Sequence, residues 1–171
     1  EYYINVWKVL KENLQCHILQ SNFVIPPEHS FGCLERKLPY SKTCFLQEIN
    51  GILDKSAPGY VSVIDLDLIA GYVGKYQWFD QTAYFVSKSC VRMDYLYELA
   101  EAFVKAIKLV QGKIRKCLVL DLDNTLWGGV VGDDGSDGIN LDPNDSSGEA
   151  YRYFQKYLLE LKQRGVILSV C

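Results

Sequence analysis

Hydrophobic positions along this chain alternate between helical spacing and short continuous runs. Tyr3, Trp7, Leu10 and Leu14 recur at intervals of three and four, which predicts an amphipathic helix over the first fourteen residues. Cys16 to Leu19 reads as a short buried strand. From Ser21 to Tyr40 the pattern breaks, with Pro26-Pro27, Gly32 and Pro39 as interruptions. Ser41 is placed to cap a second helix whose apolar face is Phe45, Ile49 and Leu53, and Pro58-Gly59 ends that unit. Val61, Val63 and Ile64 mark a second strand, which reaches Asp65 and Asp67. An aromatic-rich patch, Tyr76, Trp78, Phe79, Tyr84 and Phe85, reads as the cover of a large apolar surface. Leu96, Leu99, Phe103, Ile107 and Val110 fall on one face of a long helix predicted from about Asp94 to Gln111, with Gly112 as its left-handed stop.

The second part of the chain has a different rhythm. Four apolar residues in a row, Cys117 to Leu120, suit a strand covered on both faces, as in a parallel sheet. Gly128-Gly129 and Gly132-Asp133-Asp134-Gly135 bracket Val130-Val131, which predicts a small hairpin or flap. After a polar loop from Pro143 to Ser147, Ser146 and Glu149 have capping-box spacing. Tyr151, Phe154, Leu158 and Leu161 give the next helix its buried stripe, Gly165 ends it, and Val166 to Val170 resumes as a strand. Strand, flap, helix and strand compose a βαβ unit with parallel strands. The boundary between two partial domains is expected at Lys113, giving residues 1–113 and 114–171.

Composition changes this picture little. The 171 residues allow one good core or two small ones, and 49% hydrophobic with 23% charged residues is ordinary for a globular α/β protein. A formal charge of −3 supplies no basic field for nucleic acid or an anionic membrane, so neither is expected as a partner. The cysteines at 16, 33, 44, 90, 117 and 171 show no metal-ligand spacing and read as buried thiols of a reducing, cytoplasmic compartment. No apolar run approaches a membrane span. The chain opens without methionine and closes inside an apolar run, so both ends read as cuts in a longer protein.

The chemistry concentrates where the Cys117–Leu120 run stops at two carboxylates, Asp121 and Asp123. Ligands of parallel sheets bind beyond the carboxyl ends of the strands. Residues i and i+2 of an extended segment point the same way. Two carboxylates roughly 6–7 Å apart, at an effective dielectric of about 20, would repel by about 2–3 kcal/mol. A hard divalent cation is the obvious offset. The competing reading is a solvated strand end.

The string Asp121-Leu122-Asp123-Asn124-Thr125, after an apolar strand and before a glycine-rich flap, resembles motif I of the haloacid dehalogenase (HAD) superfamily. The longer stretch from Arg115 through Trp127-Gly128-Gly129 to Gly135, with Gly148-Glu149-Ala150-Tyr151-Arg152-Tyr153-Phe154-Gln155 and Arg164-Gly165-Val166-Ile167-Leu168, is similar to the FkbH-like branch. Trp78-Phe79-Asp80 and the helix near Asp94 resemble the end of the SGNH-hydrolase-like domain that precedes the HAD domain there. The resemblance implies the C-terminal part of a flavodoxin/SGNH-like α/β domain, then the start of a HAD Rossmannoid domain with a parallel sheet.

In such a site Asp121 is the nucleophile toward phosphorus. Asp123 gives a proton to the leaving oxygen and takes one back from water. Mg²⁺ is held by the Asp121 carboxylate and, as the resemblance implies, by the backbone carbonyl of Asp123. Backbone N–H groups of Leu122, Asp123 and Asn124 are the candidate phosphate cradle. Thr125 is expected to hold the loop, Trp127 to pack, Asp133 and Asp134 to form a turn, and Lys113, Arg115 and Lys116 to be a solvated helix exit.

The resemblance also implies glyceryl transfer from a phosphorylated three-carbon donor to an acyl carrier protein, and a Ser or Thr, a Lys and a further acidic ligand beyond Cys171. Two alternatives stand beside phosphoryl transfer. One is an SGNH-type esterase or acyltransferase in the first domain, weakened because Asp80 is followed at the third place by Ala83 where a histidine is expected. The other is a non-catalytic binding or scaffold module.

Overall fold

Two parallel strand pairs organise the chain, one in each of its two units, Glu1–Lys113 and Ile114–Cys171. The protein is described by a computed structural model covering residues 1–89 and 91–171. Its class is α/β, as the pattern predicts.

In the first unit, α1 (Tyr2–Leu14) leads to β1 (Ile18–Ser21), and α2 (Lys42–Ser56) leads to β2 (Val61–Ile64). Then follow α3 (Leu66–Val73), α4 (Lys75–Trp78), α5 (Gln81–Ser87) and α6 (Leu96–Val110), with 3-10 turns at Gly32–Lys37 and Met93–Tyr95. Ile18 lies opposite Val61 and Ser21 opposite Ile64. The core joins Trp7, Ile18, Leu53 and Val61, with Tyr3, Ile4, Leu10, Phe23 and Ile49 packed around them. Trp7 is 1% exposed, and its indole donates to Gln20 Oε1 at 3.2 Å, so the largest core side chain also has its one polar atom satisfied.

Several expectations shift here. The α1 stripe holds through Leu10, but Leu14 is exposed at the last turn, where Gln15 enters a left-handed conformation (φ 50°). β1 begins at Ile18 rather than Cys16, because the ladder starts with the Ile18 N–H donating to Tyr60 O. Ser41 does cap α2: its Oγ accepts from Cys44 N at 3.2 Å and donates to Glu35 O at 2.6 Å. Phe45 is 58% exposed, however; Thr43 and Leu53 are the buried residues of α2, and Ile49 packs partly buried against the same core as Leu53. Of the aromatic patch only Trp78 is fully buried, while Tyr76, Tyr84 and Phe85 are exposed. A single turn such as α4 can aim only one ring inward, and α5 buries none of its residues. Along α6 no residue is fully buried, since a two-stranded sheet offers its apolar face a narrow platform. Gly112 ends that segment at φ 68°, as expected.

The second unit contains β3 (Cys117–Leu120), α7 (Val131–Asp134), α8 (Ser146–Gln163) and β4 (Ile167–Val170). β3 and β4 are parallel, with Cys117 opposite Ile167 and Leu120 opposite Val170, so the predicted βαβ unit forms. Leu120 and Leu158 are its buried apolar residues. The expected double-sided burial of β3 does not hold: Val119 is 60% exposed and Cys117 is exposed, because successive strand residues face opposite sides and α8 packs against one of them. The predicted hairpin or flap is a loop closed at its base by an antiparallel bridge between Gly128 and Asn140, and it contains the one-turn α7. Asp145, not Ser146, caps α8, its carboxylate accepting from Gly148 N at 3.1 Å. Gly165 reverses the chain at φ 91°.

The cysteines overturn the buried-thiol reading. Cys16, Cys33, Cys117 and Cys171 are exposed and Cys44 is half-buried, all as free thiols: Cys16 precedes β1, Cys33 lies in the first 3-10 turn, Cys44 in the first turn of α2, Cys117 at an outward position of β3, and Cys171 follows β4. Cys90 lies outside the described residues. Among the described residues no helix is long and apolar enough to cross a membrane.

Candidate active site

Leu120 is the last, buried residue of β3, and the Cys171 amide donates to its carbonyl at 3.0 Å, so the strand pair is closed to its very end. The next residue, Asp121, is exposed there. Its Oδ1 accepts from the following Leu122 N–H at 2.8 Å, and its Oδ2 carries no hydrogen bond among the described residues. One carboxylate oxygen is therefore anchored and the other is presented outward.

Asp123 is half-buried and differently engaged. Its Oδ1 accepts from the Trp127 indole at 3.1 Å and from the Val131 amide at 3.2 Å. Between the two aspartates and the glycines the chain makes a tight loop, with the Thr125 and Leu126 amides donating to Leu122 O at 3.2 and 2.8 Å. Asn124 sits at φ 51°, a conformation asparagine tolerates, and its Oδ1 takes the Gly129 amide at 3.0 Å. Its own N–H donates to Gly129 O at 3.2 Å. Of the three amides expected to cradle phosphate, Asn124's is thus committed to Gly129 and Leu122's to Asp121. Thr125 is tied into the loop by its backbone amide, and its hydroxyl makes no hydrogen bond among the described residues.

The glycine-rich segment beyond is braced rather than loose. Gly128 and Asn140 exchange backbone hydrogen bonds at 3.1 and 2.7 Å. A Cβ on Gly128 would meet the Tyr151 ring at 3.0 Å, so this backbone presses directly on α8. Asp134 Oδ2 accepts from Val130 N at 2.9 Å, closing the α7 turn, which is the turn-forming role expected of the acids there. Asn140 Nδ2 donates to Asp145 Oδ2 at 2.6 Å. That bond, followed by the Gly148 amide, holds the exposed Asp145 carboxyl below the ordinary carboxylate range. Gln155 Nε2 reaches Leu126 O at 2.7 Å and ties the motif loop to α8.

The carboxylates that follow β3 are hard oxygen donors, which suit a hard ion, while the Cys171 thiol beside them is turned to Leu120 O at 3.7 Å. No group of three or more His, Cys, Asp or Glu side chains among the described residues is arranged to hold a metal. Mg²⁺ does not require one, since it keeps several waters and takes one or two carboxylates together with substrate phosphate. The outward oxygen of Asp121 fits that mode. The Asp123 side chain, whose Oδ1 already has two donors, fits it less well than its backbone carbonyl.

In the first unit, the other acids of interest are structural. Asp80 caps α5 by accepting from Ala83 N at 2.9 Å. Asp65 caps α3 through Leu68 N at 3.0 Å and also takes the Asn22 side-chain N–H at 2.8 Å. Asp67 accepts from Ile25 N at 2.7 Å and Lys75 Nζ at 2.6 Å. His17 is hydrogen-bonded to Ser62 Oγ at 2.9 Å and His29 to Thr43 Oγ1 at 3.5 Å. One hollow is lined by His17, Leu19, Ile107 and Val110 and another by Leu141, Arg152 and Lys156, and these two do not include Asp121 or Asp123.

Sequence reasoning missed the roles of Trp127, Val131, Asn140 and Asp145 around the motif. The available signal was weak: Asn140 and Asp145 are the asparagine and aspartate of a polar loop, types that favour such backbone turns.

A crystal structure of the N-terminal part of the protein BF1531 from Bacteroides fragilis, containing a phosphatase domain and complexed with Mg, superposes on this chain with a TM-score of 0.82 at 31% identity. The likeness covers 99% of this chain and 46% of that one, so the chain spans about half the length of the structure it matches. No family model and no curated protein matches the chain.

Proposed function

We propose that the second unit carries a Mg²⁺-dependent phosphoryl-transfer centre in which Asp121 is the nucleophile and Asp123 the general acid and base. The observation that carries this reading is the outward oxygen of Asp121 at the end of a parallel strand, two residues before an acid whose carboxylate is fixed by two N–H donors. The likeness to a Mg-complexed structure containing a phosphatase domain supports it.

The chemistry follows from the residues. An Asp121 carboxylate oxygen attacks phosphorus, and the bond from phosphorus to the leaving oxygen breaks as Asp123 delivers its proton there. Water then attacks the resulting aspartyl phosphate and loses a proton to Asp123, which releases inorganic phosphate and restores the Asp121 carboxylate and the protonated Asp123. Asp121 and the Asp123 carbonyl would hold Mg²⁺, which when bound offsets the charge of the phosphoryl oxygens. The Asp123 and Leu122 amides are the phosphate-facing donors, the latter once Asp121 turns away from it; Asn124 contributes by holding the loop to Gly129.

More finely, the motif resemblance supports an FkbH-like HAD domain preceded by a partial SGNH-like unit. Its substrate would be a phosphorylated small molecule, with a glyceryl unit passed to an acyl carrier protein. Esterase chemistry in the first unit finds no support at Asp80, whose carboxylate is committed to capping α5.

The test is release of phosphate from an aryl phosphate with and without Mg²⁺. Asp121→Asn is expected to lower turnover by about 10³-fold or more. Unchanged turnover in that variant would sink the assignment. A carrier protein that gains no glyceryl mass beside an active phosphatase would leave hydrolysis alone.

A further inference from the structure

We propose that Trp127 is a positioning residue for Asp123, its indole N–H fixing which carboxylate oxygen faces the leaving group. The inference rests on the phosphoryl-transfer reading above and deepens it.

Rotation of an aspartate carboxylate is ordinarily soft, because the terminal torsion has broad wells. Here Oδ1 receives two donors, one from a side chain and one from the backbone, at 3.1 and 3.2 Å. Both lone pairs of that oxygen are then occupied, and a proton in transit has to travel on Oδ2. Whether the acid meets the leaving oxygen therefore depends on where Oδ1 is pinned.

The Trp127 side of that clamp is well supported. The Leu126 amide is hydrogen-bonded to Leu122 O, the Leu126 carbonyl receives Gln155 from α8, and Gly128 lies against Tyr151 and Asn140. The ring is thus carried on a segment braced from both neighbours. The other two tryptophans do something else: the Trp7 nitrogen is bonded to Gln20, and the Trp78 nitrogen is buried without a partner among the described residues. Trp127 alone of the three aims its N–H at an ionisable side chain.

A tryptophan that merely packs predicts different kinetics from one that aims an acid. The test compares Trp127→Phe with wild type in the full-length protein, on phenyl phosphate, whose leaving oxygen needs a proton, and on p-nitrophenyl phosphate, whose leaving oxygen hardly does. Positioning predicts a fall in kcat/KM, which reports the steps up to departure of the leaving oxygen, of about tenfold or more on phenyl phosphate and a change within about twofold on p-nitrophenyl phosphate. Equal falls in kcat/KM on the two substrates would overturn the inference.

The indole N–H resonances supply a readout that needs no turnover. Asp123→Ala should move the one resonance that disappears in Trp127→Phe and leave those of Trp7 and Trp78 in place, which also reports that the variant is folded. A stationary Trp127 resonance would overturn the contact itself. Absence of Mg²⁺-dependent turnover in the wild type would overturn the proposed function and the inference with it. Turnover by the wild type combined with a flat response to Trp127→Phe would overturn the inference alone.

Discussion

Asn140 Nδ2 lies 2.6 Å from Asp145 Oδ2, and through this bond the loop that pairs with Gly128 is fastened to the first turn of α8. The same carboxylate accepts from Gly148 N, so one exposed side chain both caps the helix and anchors the loop beside the motif.

The Asn140 bond, then the Gly148 amide, depresses the Asp145 carboxyl from its ordinary value near 3.8. A depressed folded-state value means that the stabilisation is fully present above the unfolded value and is lost as pH falls through the folded one. Asp145→Ala should therefore melt at a lower temperature than wild type at about pH 7, with the gap narrowing as the pH falls below the ordinary carboxylate value of 3.8. Thermal melts across that range decide it, and a gap independent of pH would contradict the account.

Gly148→Ala tests the tightness of the same corner. Gly148 is buried, and a Cβ there would strike the backbone of Asp142 and come within 2.6 Å of Asn140 Oδ1. Backbone cannot swing aside as a side-chain tip can, so a loss of about 1–3 kcal/mol is expected from chemical denaturation. A neutral result would show that this corner yields.

In the first unit, Asp67 and Lys75 are predicted to respond unequally. Asp67 accepts from both Lys75 Nζ and the Ile25 amide, and the pair is about a quarter exposed, 26% and 28% at the side chains. Lys75→Ala removes a partly screened ion pair and should cost at most about 1 kcal/mol. Asp67→Ala also strips the acceptor from a backbone amide, and about 1–3 kcal/mol is expected. Denaturant titration of the two variants gives the order directly.

Val131→Pro removes the second donor to Asp123 by a route that spares the fold. Val131 opens α7, where proline is tolerated, and Val130 before it is extended (φ −120°, ψ 113°), as a residue preceding proline prefers. Activity on phenyl phosphate is expected to fall by about tenfold, with a melting temperature close to wild type. A large loss of melting temperature would mean that the amide serves the fold rather than the acid.

Much of this architecture could be read from residue patterns. Tyr3, Trp7 and Leu10 did turn one stripe of α1 toward the core, Ser41 did cap α2, and the two strands joined through α8 did pair in parallel, because each depends on local spacing and capping chemistry. Burial was less legible. Val119, Phe45 and Phe85 are apolar yet exposed, since periodicity says which face is apolar and not how wide the neighbouring surface is. The candidate site divided the same way. Asp121 at the strand end was visible as a motif, whereas the clamp of Trp127 and Val131 on Asp123 arises in a loop, where no repeat ties positions four and eight residues apart.

The central claim is that Asp121 becomes phosphorylated. The most direct measurement is mass spectrometry of the full-length protein after brief reaction with a phosphomonoester and Mg²⁺ and an acid quench. Asp123→Ala should prolong the intermediate's life by removing the base that activates water. One added phosphoryl group on the peptide containing Asp121, lost in Asp121→Asn and absent without Mg²⁺, is the predicted result. Phosphate released with no phosphorylated peptide in either protein, or a phosphoryl group mapped to another residue, would contradict it.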